Sequence, residues 1–169
     1  MGHIQGFLRN LGSKKPLVSK SSLLVLRQLS NNELCVSSII NYPNTLTLLM
    51  TAVRIDSTLT PVACETLDKL FASRSESFVQ QAIQGNVVQE LLKLLDSKQS
   101  NHSSTTKALV VQVLKTMSKS LVHGEEITAI LEESSVWSEF KDQKHDLFIS
   151  NQRVDGYLTG EYRRLELSV

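Results

Sequence analysis

The chain has 169 residues, 41% of them hydrophobic and 21% charged, which is the make-up of one folded globular domain and not of a disordered tail. Eighteen basic against seventeen acidic residues leave a formal charge of +1, which removes the long-range attraction to phosphate on which nucleic-acid binders depend. Two cysteines, Cys35 and Cys64, form no C-x-x-C pair, so free thiols in a reducing compartment are expected, with neither a zinc ribbon nor a disulfide framework.

In chain order, residues 1–16 read as a flexible N-terminal segment. Met1 to Arg9 lacks the apolar centre of a secretory signal, and Gly6 stands where N-myristoylation requires Ser or Thr. Helical periodicity starts in Ser19–Leu29 and continues in Glu33–Ile40 and Asn44–Arg54. From Pro61 to Ala72 the apolar positions Ala63, Thr66, Leu67, Leu70 and Phe71 recur at three and four, with Thr60 as a cap before Pro61. A short helix ends near Ile83. Gly85-Asn86 then marks a corner, with Asn86 as the cap of the stripe Val87, Val88, Leu91, Leu92, Leu94 and Leu95 and Gln89 three places on. Ser97 to Ser104 is polar without a period and reads as an exposed loop. The longest predicted helix runs from Thr105 to Val122, with Ala108, Val111, Leu114, Met117, Ser118 and Leu121 on one face and Gly124 ending it. Glu125–Glu132 and Ser135–Asp146 follow, and residues 150–169 read as a flexible tail.

Low aromatic content, seven Gly and three Pro argue against strands, so the expected class is all-α. The pattern also repeats. Leu26-x-x-Leu29, Leu67-x-x-Leu70 and Leu114-x-x-Met117 align at offsets of 41 and 47 residues, and the 97–104 loop accounts for the longer interval. Three helices per unit at that period is an armadillo- or HEAT-like solenoid of about three repeats, expected over residues 17–149. The working surface would be the groove formed by the third helices. No apolar run approaches the roughly 18 to 20 residues that span a bilayer, so a cytoplasmic location is expected and the Asn101-His102-Ser103 sequon is idle.

The sequence holds little reactive chemistry. No phosphate-cradling glycine motif occurs, and His3, His102, His123 and His145 never pair at ligand spacing, so no catalytic residue, cofactor or metal is expected. His123 before Gly124 reads as a helix C-terminal residue meeting exposed carbonyls. Asp142, His145 and Asp146 would share a helix face and could orient an imidazole, which keeps a small hydrolase or metal enzyme as an alternative. Lys141 and Lys144 alternate with these acids as on a solvated helix end. Trp137, with Phe140 beside it, is either the plug that closes the stack or a partner's anchor. Tyr162-Arg163-Arg164-Leu165 has the form of a sorting peptide, and Leu167-Ser168-Val169 that of a strand added to a PDZ domain.

Thr105-Thr106-Lys107-Ala108, Val113 to Leu121, and above all the run Ser134-Ser135-Val136-Trp137-Ser138-Glu139-Phe140-Lys141-Asp142-Gln143-Lys144-His145-Asp146-Leu147-Phe148-Ile149-Ser150 resemble the carboxyl end of the receptor-mediated endocytosis 8 (DnaJ homologue subfamily C member 13) family. Gly156-Tyr157-Leu158-Thr159-Gly160 is similar to that family's tail. The resemblance implies a piece of an armadillo-like scaffold, peripheral to early endosomes, that binds sorting nexin, retromer or actin-regulating partners during receptor recycling. No His-Pro-Asp occurs, so the J-domain function is not expected of this chain. The expected function is a non-catalytic protein-binding scaffold fragment with partner contacts at Trp137, Phe140, Lys141, Lys144, Tyr157 and Leu158. A regulatory fragment that competes with the full-length endosomal protein is a further alternative.

Overall fold

A computed structural model describes residues 2–142. Among these the chain forms ten α-helices and one 3-10 turn, with no strand: α1 (Gly2–Asn10), α2 (Pro16–Leu29), α3 (Glu33–Asn41), α4 (Thr45–Ile55), the turn Ser57–Leu59, α5 (Thr60–Ala72), α6 (Glu76–Gln84), α7 (Val87–Leu95), α8 (Ser104–Met117), α9 (Gly124–Glu132) and α10 (Ser135–Phe140). Short polar residues set most of the starts. Asn32 accepts from the backbone of Leu34 and Cys35 at 2.9 and 3.2 Å, and Ser75, Ser103 and Ser134 cap α6, α8 and α10 in the same manner.

The helices pack in two rows. α2 lies against α5 and α5 against α8, while α1, α4 and α7 pack onto α2, α5 and α8 respectively, and α10 continues from α7. Between them Leu26, Leu67 and Leu114 are each 0% exposed, so the aligned positions of the sequence do meet in one shared core. Burying a Leu side chain contributes roughly 1.5–3 kcal/mol, and the row is lined with such residues from Leu8 to Leu131. Phe71 and Phe78 meet at a 46° tilt with ring centroids 4.9 Å apart and join α5 to α6.

Local chemistry recurs with the rows. At the ends of α2, α5 and α8 the hydroxyls of Ser30, Ser73 and Ser118 donate back to the carbonyls of Leu26, Leu70 and Lys115. α4 and α7 both start after an asparagine in the left-handed region, Asn44 at φ 66° and Asn86 at φ 58°. Asn tolerates that conformation better than other non-glycine residues, so each pair turns sharply at one residue.

Four expectations need correction. Residues 1–16 are not a flexible leader: Gly2–Asn10 is helical, and Ile4, Leu8 and Leu11 are buried against the helices that follow. Thr60 and Asn86 do not cap by side chain. Thr60 is the first residue of α5, preceded by a 3-10 turn that Asp56 caps, and its buried hydroxyl finds no partner among the described residues. The long helix ends at Met117, not Val122, so Leu121 stands 88% exposed where the helical stripe had placed it in the core. Gly124 opens α9 instead of ending α8, and a Cβ there would lie 2.6 Å from the Ser118 carbonyl oxygen. The close approach of α9 to the end of α8 is thus what requires glycine.

Candidate functional site

The aromatic end of the described chain is closed. Trp137 is only 5% exposed, and the Lys115 ammonium lies 5.8 Å from the centre of its ring while donating to the Lys141 carbonyl at 2.7 Å. A cation at the carbonyl end of α10 also meets the negative pole of that helix. Phe140 is half-buried, with the Lys107 ammonium 5.7 Å above its ring, and Lys141 pairs with Glu132 at 3.1 Å. Trp137 therefore sits in the core of the stack and does not project as an anchor. The other candidates divide: Phe140 and Lys141 are partly accessible, while Lys144, Tyr157, Leu158 and the terminal linear motifs lie outside the described residues. Of the acid–histidine cluster only Asp142 is described, and it is exposed; His145 and Asp146 lie beyond.

Interhelical polar contacts that the sequence did not single out bridge one row position to the next. Arg27 reaches Glu65 at 3.0 Å between α2 and α5. Arg54 grips Glu90 with both ends of its fork, Nε to Oε2 at 2.8 Å and Nη2 to Oε1 at 2.6 Å, across a groove of about 340 Å³ between α4 and α7. Thr116 donates to Asp68 between α8 and α5. Asp68 is half-buried, and loss of hydration raises its carboxyl above the usual range despite that bond and the nearby Lys119. Burial likewise pushes the Cys64 thiol up to about 12, so it carries no reactive thiolate at neutral pH.

The corners between rows differ in length. Glu33 opens α3 and Glu76 opens α6, each directly after a capping residue. The turn 118–123 folds over Glu76, whose carboxylate accepts from the Ser120 hydroxyl and from the backbone of Leu121 and Val122 at 3.2 and 3.3 Å. The Ser120 bond above all holds Glu76 below the ordinary glutamate range. His123, expected at a helix C-terminus, instead precedes α9, with Nδ1 3.9 Å from Glu126. Beside α3 the facing corner is only Ser73-Arg74-Ser75, and a groove of about 670 Å³ stays open. The capped acids recur 43 residues apart, a signal in the sequence that the leucine alignment did not use.

Among the described residues no group of three or more His, Cys, Asp or Glu could hold a metal ion, and no helix is long and apolar enough to cross a membrane. Comparison with known proteins gives a partial relationship. DnaJ homolog subfamily C GRV2 of Arabidopsis thaliana is 32% identical to the chain over 104 residues, a match that covers 52% of this chain and 4% of the plant protein. The chain thus spans 4% of the length of that relative. No protein-family model matches, and no solved structure matches. The match supports a relationship to DnaJ subfamily C proteins.

Proposed function

We propose that the chain is a non-catalytic, protein-binding scaffold segment of armadillo- or HEAT-like type, acting in endosomal membrane trafficking. The observation that carries this reading is the relationship to a DnaJ subfamily C protein over half of the chain. It is supported by the resemblance of residues 134–150 to the receptor-mediated endocytosis 8 family and by the packing of α2, α5 and α8 in sequence order, as neighbours in a solenoid pack. Such a stack offers shape and an array of side chains in place of a reaction centre. The outward side of α4, α7 and α10 is the proposed working surface, and its partners are sorting nexin, retromer or actin-regulating components at early endosomes.

Affinity purification of the chain from cells, with and without the residues after Ser150, tests the reading. Recovery of those trafficking components with the complete chain is the expected result. Recovery of chaperones alone, from a chain whose circular dichroism is not helical, would overturn it.

A further inference from the structure

The two acidic residues that open α3 and α6 sit in matching positions, yet only one is occupied. Glu76 receives a hydroxyl and two backbone N–H groups from the six-residue turn 118–123. The exposed Glu33 carboxylate forms no hydrogen bond or ion pair among the described residues and faces a groove bounded by a corner of three residues. That groove is lined by Val36 and Ile40 on α3 and Ala72 on α5 together with the polar side chains of Ser30, Asn41 and Lys69. Its rim carries the hydroxyls of Ser37, Ser73 and Ser75.

We infer that the groove between α3 and the α5–α6 corner binds a turn of a partner protein that presents a Ser or Thr hydroxyl and two free backbone N–H groups to Glu33. The occupant's chemistry is taken from the chain itself, because the turn Ser120-Leu121-Val122 already meets Glu76 with those three donors. The complementarity is electrostatic: a carboxylate acceptor on one side, a turn with unsatisfied donors on the other, and charge-assisted bonds of this type are the stronger ones. The inference deepens the scaffold reading by naming one docking position and the kind of segment it takes.

A cyclic peptide carrying Lys-Ser-Leu-Val-His, titrated into the isotope-labelled full chain, tests it by amide chemical shifts. Shifts confined to residues 33–40 and 69–75 are expected, with affinity falling about tenfold or more in Glu33→Gln, which removes the charged acceptor. Ser37→Arg, which obstructs the groove while leaving Glu33 in place, should weaken binding as well. Unchanged affinity in both variants, or shifts located elsewhere, would overturn the inference. So would sedimentation showing that the chain self-associates through Glu33, since the occupant would then be a second copy. Either failure leaves the capture of trafficking components untouched, so the two readings fail separately.

Discussion

Leu114 shows how much can rest on one position. It is wholly buried where α8 packs on α5, the most extensive helix contact among the described residues. Leu114→Ala should lower stability by about 2–5 kcal/mol in a chemical denaturation curve. Leu114→Asp adds an unpaired buried charge and should abolish the cooperative circular-dichroism melt, since the whole stability of a domain is only about 5–15 kcal/mol. Gly124 acts by absence: its missing Cβ lets α9 start against the Ser118 carbonyl, so Gly124→Ala should cost about 1–3 kcal/mol through forced displacement. Asp68 has the opposite pH sign from the other shifted carboxylates. Its folded pKa is raised by desolvation, so the folded state binds its proton more readily than the unfolded chain and the site loses stability as pH rises through the folded value. In melts from neutral pH down to about pH 4, the parent should gain on Asp68→Asn as acid is added; a constant gap between the two would refute the assignment.

At the scale of elements, the turn 118–123 depends on an acid at the start of α6. Glu76 is held below its usual pKa by the donors of that turn, so its contribution is present at neutral pH and is lost as pH falls through the folded value. Glu76→Gln should speed hydrogen exchange at Leu121 and Val122 at neutral pH, with the difference from the parent shrinking in acid. The Arg54–Glu90 bridge predicts a smaller effect. Arg54 is about half exposed, and a double-mutant cycle should return at most about 1 kcal/mol despite the good fork geometry. The elements were unevenly legible in the sequence. α5 and α7 carry strong apolar stripes and stand where periodicity puts them. α1 was hidden because it is short, holds two glycines and sits where chain ends are usually loose, although Ile4, Leu8 and Leu11 keep a helical spacing. Leu121 misled for the reverse reason: its spacing from Leu114 continues the stripe, but the chain has already left the helix at Ser118.

Across the whole molecule, the aligned leucines Leu26, Leu67 and Leu114 lie on α2, α5 and α8, helices that pack α2 on α5 and α5 on α8, and all three are buried. The polar contacts between helices were not legible: Arg27 to Glu65, Arg54 to Glu90 and Thr116 to Asp68 join residues 38, 36 and 48 positions apart, and no local pattern reveals such pairings. Trp137 was legible as a residue of weight but not in its role, since core and interface both favour tryptophan and only the packing decides.

The eight residues from Asp96 to Ser103 have a further use. They join α7 to α8 as a mostly exposed span, fastened at one end by Asp96 and at the other by the Ser103 cap, and they separate two helices that are already packed together. A fluorophore or epitope spliced between Gln99 and Asn101 would ride outside the bundle, making this the natural handle for following the protein in living cells while both its ends are left as they are.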